Sequence, residues 1–263
     1  MNAKLHSYML LLCYTITYSA CAPKLAPQAT TPGQEITDER GKPQLLGKWS
    51  RQRLEQAPYD SWFIKNYSDY TVDSATANRL RSRLADKSVK LFMGTWCGDS
   101  QREIPRIFKI LDYCGIDSGR VQLVMVSDAD STYKQSPGHE ERGMNIFRVP
   151  DLIVLDRGKE MGRIVESPVQ SLEKDLLALT GGENYTPHYE GAALLIKVFR
   201  EEKRGRIERE LPELAARIKP MVSSPSELKS YAHVLRAAGE PQKADIALQI
   251  NALIFPAGRS LSQ

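Results

Sequence analysis

The sequence predicts an α/β domain with a central mixed sheet, followed by an α-helical C-terminal extension. Three observations carry this prediction. Residues 88–95 and 121–126 are short apolar runs, and between them residues 98–113 carry an amphipathic helix pattern. That strand–helix–strand order implies a parallel pair joined by a right-handed crossover. Residues 151–156 and 160–166 flank Arg157 and Gly158, the signature of an antiparallel hairpin. Beyond Gly181 and Gly182 the pattern is helical throughout.

Taken in order, the chain opens with a short polar stretch holding Lys4, then a mostly apolar run from Tyr8 to Tyr18. That run is far below the ~20 residues needed to span a bilayer. Residues 1–20 are therefore expected to be an export signal. Residues 22–43 hold Pro23, Pro27, Pro32 and Pro43 among Thr, Gln and Gly, a composition that buries no core. With Cys21, residues 21–44 are expected to be a flexible tether. Residues 45–70 are rich in aromatics (Trp49, Tyr59, Trp62, Phe63, Tyr67) without a clean period. Short helical turns packed on the main domain are expected there, with an aromatic binding cleft as the alternative.

Asp73 or Ser74 caps a helix running to about Ala85, with Ala77, Leu80 and Leu84 at helical spacing. The strand at 88–95 follows, and then the helix at 98–113, with Ile104, Ile107, Phe108 and Leu111 on one face. Residues 128–140 form a polar loop, 141–147 a short helix, and Val149-Pro150 a break before the hairpin. A closing helix over 171–179 completes a domain of residues 45–181. Residues 182–263 contain helices at 190–203, 206–217, 226–238 and 241–255.

The net charge of the 263-residue chain is only +4, and no basic stripe appears, so nucleic acid is not an expected partner. The mixed charges from Arg200 to Arg209 describe a solvated helix face. The four cysteines, Cys13, Cys21, Cys97 and Cys114, match no zinc spacing and no disulfide framework. No metal and no cofactor is expected. Cys97 sits where a strand passes into a helix. Unpaired N–H groups and the helix dipole favour an anion there, so a reactive thiol is expected. A buried structural cysteine is the alternative. Along a continuous helix Cys114 lies roughly 25 Å from Cys97, too far for a disulfide, and is expected to be a buried apolar side chain.

The run Thr95-Trp96-Cys97-Gly98-Asp99-Ser100 resembles the active-site turn of the thioredoxin superfamily, W-C-G-P-C. Pro105 is similar to that family's helix-kinking proline, and Val149-Pro150 with the apolar run Leu152 to Leu155 resembles its cis-proline and following strand. These anchors cover residues 85–180 or so. The resemblance implies a thioredoxin-like sandwich with helices on both sheet faces and a cis bond before Pro150. It makes Cys97 the nucleophile and places Trp96, Gly98, Asp99, Val149 and Pro150 along a substrate groove. Ser100 replaces the second cysteine and is expected to donate a hydrogen bond to the Cys97 sulfur. Leu91 replaces the family's buried acid. Asp99 caps the helix or positions a substrate, and Asp151 stands where the family commonly has Thr. His139 is expected on the surface.

The function implied is monothiol thiol–disulfide exchange. Cys97 forms a mixed disulfide with an envelope protein or small thiol, and an external thiol resolves it. A non-redox interaction module is the rival, and a holdase using the aromatic segment a third possibility. Tyr18-Ser19-Ala20-Cys21 resembles a bacterial lipobox, which implies lipidation of Cys21 and a membrane anchor in the cell envelope, periplasm-facing and on the outer membrane. An ordinary secretory signal is the alternative; both export the chain to an oxidising compartment. Ala232, Leu235, Gly239, Ala244, Leu248 and Pro256 resemble a single tetratricopeptide-like repeat, with a plain helical hairpin as the alternative. Either suits a protein partner on the C-terminal helices.

Overall fold

The computed structural model describes residues 32–183 and 185–256. The residues expected to form an export signal, Cys21 as the expected lipidation site, and the first part of the expected tether lie outside the described residues. One mixed sheet holds β1 (Gln34–Thr37), β2 (Pro43–Trp49), β3 (Ser88–Met93), β4 (Val121–Met125), β5 (Asp151–Asp156) and β6 (Lys159–Val165), in the order β1-β2-β4-β3-β5-β6. β3 and β4 run parallel, and every other neighbouring pair is antiparallel.

Strand alternation sorts the side chains onto two faces. Val89, Leu91 and Met93 point to one face with Leu123, Met125, Leu152 and Val154. That face is covered by α1 (Asp60–Asp69), α2 (Ser74–Leu84), α3 (Gly98–Cys114) and α4 (Leu172–Gly181). Phe92, Val124, Val126, Ile153 and Leu155 point the other way, and Ile146 and Val149 cover them. The expectation of helices on both faces is thus corrected. All four helices of this domain pack on one face, and the irregular segment between β4 and β5 closes the other.

α2 begins at Asp73, whose carboxylate accepts from the Ala75 and Thr76 N–H groups, and α4 begins at Ser171, whose hydroxyl accepts from Lys174 N–H. α3 ends at Gly115 in the left-handed region (φ +73°), with its N–H on the Asp112 carbonyl. Pro105 sits inside α3 and has no N–H for the carbonyl of Gln101. The Asn66 side chain of α1 donates to that orphaned carbonyl at 3.1 Å. The aromatic segment therefore repairs the helix backbone near the site, and its Phe63 packs against Phe108 of α3 with ring centroids 6.2 Å apart.

Three local expectations are also corrected. The tether expected over 21–44 does not hold for residues 34–44, because Gln34–Thr37 and Pro43–Trp49 pair as a hairpin. β1 is exposed on every residue, so no apolar alternation marked it. The segment 45–70 opens with a strand, β2, that pairs with β4; a helical turn at Arg51–Arg53 and α1 follow. Residues 141–147 form turns and not a helix, since Gly143 (φ +77°) and Asn145 (φ +55°) are left-handed.

The C-terminal region holds α5 (Glu190–Glu201), α6 (Arg204–Arg209), α7 (Leu211–Ile218), α8 (Ser226–Ala237) and α9 (Pro241–Ile254). The single helix expected over 206–217 is split at Glu210, where Pro212 in the first turn of α7 supplies no N–H to continue the ladder. α8 and α9 form a hairpin through the left-handed Gly239 (φ +78°), and α5 and α7 pack against it. Their core takes in Phe147 and Val165, which fastens it to the α/β domain. No described helix is long and apolar enough to cross a membrane.

Candidate functional site

β3 delivers the chain to Gly94, and a tight turn places Cys97 at the N-cap of α3 with extended backbone (φ −94°, ψ 121°). The turn is held by its own polar groups. Cys97 N–H donates to the Gly94 carbonyl at 3.0 Å, and the Gln101 side-chain amide donates to the Thr95 carbonyl at 2.7 Å. The Thr95 hydroxyl accepts from Leu45 N–H at 3.3 Å, which ties the turn to β2.

Cys97 is half-buried, and its thiol donates to the Val149 carbonyl at 3.3 Å. The Val149–Pro150 bond is cis. The Pro150 carbonyl accepts from Glu166 N–H at 2.7 Å, which pins this peptide to the end of β6. Trp96 packs beside the sulfur, with its indole N–H on the Val126 carbonyl at 2.9 Å. A Cβ on Gly98 would meet nothing within 4 Å, so the approach in front of the turn is open. The Cys97 turn and the cis Val149–Pro150 peptide thus lie against one another.

Ser100 and Asp99 behave differently. The Ser100 hydroxyl accepts from Gly94 N–H at 3.3 Å in a fully buried position and makes no bond to the Cys97 sulfur. Its job is to close the turn against the end of β3. Asp99 makes no capping hydrogen bond; it lies in the first turn of α3 and pairs with Arg102 at 2.8 Å. Leu91 is fully buried in the main core. Asp151 does not line the groove, as it is fully buried and paired with Arg163 at 2.9 Å. Cys114, at the far end of the 17-residue α3, is buried against the Ala77 carbonyl, and burial pushes its thiol pKa up. His139 is half-exposed and lies 3.4 Å from Glu141.

Three charged residues at the site are not among those the sequence singles out. Lys134 is 5% exposed, and its ammonium lies 4.2 Å over the Trp96 ring. Burial pulls it down to about 8, against the attraction of Cys97. Arg148 and Glu166 pair at 3.4 Å beside the Val149–Pro150 peptide, and burial raises the Glu166 pKa although Arg148 opposes the shift. Lys134 sits 37 residues from Cys97 in a loop, at a distance no periodicity reports. Arg148 had one available clue, its position directly before Val149-Pro150.

One cavity opens at the turn and another lies behind the Lys134 loop. The first, of about 290 Å³, is lined by Trp96, Thr95, Tyr59 and Trp62. The other, of about 460 Å³, lies between the loop holding Lys134 and helix α8. Among the described residues no cluster of three or more His, Cys, Asp or Glu side chains is arranged to hold a metal ion. Chemically, the arrangement offers one accessible sulfur, a carbonyl beside it and a cation close by. Comparison of the chain with protein-family models, curated proteins and solved structures finds no match.

Proposed function

We propose that this chain is an exported, lipid-anchored thioredoxin-like protein that carries out monothiol thiol–disulfide exchange through Cys97. The observation that carries the proposal is the half-buried Cys97 sulfur at a helix N-terminus, 3.3 Å from the carbonyl of a cis Val149–Pro150 peptide. The Cys97 thiolate attacks one sulfur of a substrate disulfide, forming a mixed disulfide and releasing the other sulfur as a thiolate. A second thiolate, from an envelope protein or a small thiol, attacks the substrate sulfur of that mixed disulfide. It leaves with the substrate as a new disulfide and regenerates the Cys97 thiolate. No electrons are gained or lost by the protein over the cycle. An external thiol is needed because Cys114 is buried at the opposite end of α3.

The test uses the full chain and glutathione disulfide as the probe. Mass spectrometry is expected to find one glutathione on Cys97, none in C97S, and release of the adduct by added glutathione. Failure of native Cys97 to react, while the denatured chain does, would leave the non-redox interaction module as the better description. The lipid anchor is tested separately, with C21S expected to free the protein from membranes.

A further inference from the structure

The cavity that opens at the Cys97 turn is lined by three aromatic residues, each held in place. Trp96 belongs to the turn itself, and its indole N–H is fixed on the Val126 carbonyl at 2.9 Å. The Tyr59 hydroxyl donates to Glu35 at 3.2 Å, and the Arg53 guanidinium lies 4.8 Å over the Tyr59 ring. Trp62 stands edge-on to Tyr59, with ring centroids 6.4 Å apart, and edge-on to Phe63 at 6.1 Å. Two amides that also line the cavity are engaged, Gln101 on the Thr95 carbonyl at 2.7 Å and Gln44 on Asp128 at 2.8 Å. An occupant therefore meets preformed walls, which lowers the ordering cost of binding. At about 290 Å³ the space lies just under the range of about 300–1,000 Å³ that holds a drug-sized ligand, so it suits one large side chain better than a whole cofactor.

The charged residues of the lining come from the turn between β1 and β2. Asp38 is saturated. One of its oxygens accepts from the Arg40 and Lys42 backbone N–H groups at 2.9 and 2.7 Å, and the other from the Arg40 side chain at 3.0 Å. The Arg40 guanidinium also holds Asp128 at 3.0 Å. The Lys42 side chain is exposed and, among the described residues, has no ion-pair partner. Aromatic walls with one uncommitted cation beside them are complementary to an aromatic side chain next to a carboxylate.

We propose that this cavity is the specificity pocket of the protein: it receives an aromatic side chain of the polypeptide whose disulfide Cys97 attacks, and Lys42 pairs with an acidic residue beside that side chain. This rests on the exchange function proposed above and names its substrate class. The pocket and the sulfur share the turn at residues 95–97, so an extended chain, at about 3.3–3.6 Å per residue, spans from one to the other within a few residues.

The test uses the full chain carrying C97S, so that binding is read without reaction. The probe is a fluorescent peptide with a cysteine capped by glutathione, a phenylalanine two residues on and an aspartate next to it. Anisotropy gives its affinity. Replacing the phenylalanine by alanine is expected to weaken binding about tenfold, and W62A in the protein to weaken it by a similar factor. K42E is expected to weaken binding about threefold and to prefer the peptide with lysine in place of aspartate. Circular dichroism checks each fold, and K42E, at an exposed position, carries the test if W62A unfolds. Equal affinities for the phenylalanine and alanine peptides overturn the proposal. So does a K42E protein that keeps the preference for aspartate. Loss of self-association in W62A on size exclusion, with peptide binding unchanged, makes a second copy of the chain the occupant and also overturns it. The same peptides with native Cys97 separate the two levels. Adducts that form equally fast with every peptide remove the pocket and leave the exchange function intact. Selective binding to C97S without any adduct on native Cys97 removes the exchange function and keeps the pocket as a peptide site.

Discussion

The Ser230 hydroxyl donates to the Phe147 carbonyl at 3.1 Å, two residues before the peptide that faces the Cys97 sulfur. Helix α8 thereby grips the backbone of the site from outside the α/β domain. Arg148 adds to the grip. Its guanidinium reaches the Ser226 hydroxyl at 3.2 Å and Glu166 at 3.4 Å, and it lies 4.9 Å over the Tyr189 ring. The Gln135 side chain donates to the Ala237 carbonyl at 2.6 Å, so the Lys134 loop is held by the same helix. The C-terminal helices form the outer wall of the site as well as a candidate partner surface.

Removing the central member of that wall has an expected signature. R148M leaves Glu166 half-buried without its cation, and is expected to destabilise the chain by about 1–3 kcal/mol. Burial already raises the Glu166 pKa, and loss of Arg148 raises it further. The folded state then holds the Glu166 proton more tightly than the unfolded state. The penalty is therefore full at pH 7 and shrinks as pH falls through the raised pKa. Urea denaturation at pH 7 and pH 5 checks this, and an equal penalty at both values contradicts it.

The second expectation concerns the residue after Pro150. Burial pushes Asp151 from 3.8 up to about 6, with Arg163 pulling the other way. One of its carboxylate oxygens has no hydrogen-bond partner, so Arg163 is the main compensation. Between about 3.8 and 6 the folded state binds the extra proton, so this group lowers stability as pH rises through that window. R163M removes the cation and is expected to cost about 3–5 kcal/mol at pH 7, with part of the loss recovered at pH 5. R163K, which keeps charge but loses the fork to Asp151 and Glu160, is expected to fall between. A loss in R163M that does not depend on pH would point to packing alone.

What was legible in the sequence followed from local rules. β3 and β4 are short apolar runs, α3 between them has a helical period and ends at Gly115, and the Cys97 turn and Val149-Pro150 are short motifs whose order is itself informative. β1 escaped because a fully exposed edge strand buries nothing and so has no alternation to show. The bend at residues 141–147 depends on left-handed residues that composition does not announce. Ser100 lies on the helix as the motif spacing implies, but its hydroxyl turns to Gly94 N–H and not to the sulfur, a direction that motif spacing does not carry. Lys134 reaches the site only through tertiary folding, with a loop, a left-handed residue and two aromatic faces setting its position.

Lys134 also carries a cost that can be measured. Its pKa is pulled from 10.5 down to about 8, because burial disfavours the charged amine. Between those two values the unfolded chain binds more protons, so stability rises with pH across the window, and the cost is fully present below pH 8. K134M removes the buried charge but also the cation–π contact with Trp96. The net expectation is a gain of about 1 kcal/mol at pH 7 that fades by pH 10. Denaturation at both pH values reads this, and a variant less stable at each would assign Lys134 a structural role.

A thiol at position 100 is expected to make this turn self-resolving. Position 100 lies three residues past Cys97 at the start of α3, where side-chain Cβ atoms are about 5–6 Å apart. The non-helical backbone of the N-cap allows the small adjustment a disulfide needs. S100C gives up the hydrogen bond from Gly94 N–H to the hydroxyl, at about 1 kcal/mol, and puts a buried thiol three residues from Cys97. In wild type, the glutathione adduct on Cys97 is expected to persist until an external thiol is added. In S100C the new thiolate attacks the Cys97 sulfur and expels glutathione as its thiolate, leaving a disulfide between the two positions. Mass spectrometry over time follows adduct lifetime in the two proteins. An adduct as long-lived in S100C as in wild type would mean that position 100 faces away from the reacting sulfur, and that the turn is closed to internal resolution by its geometry as well as its composition.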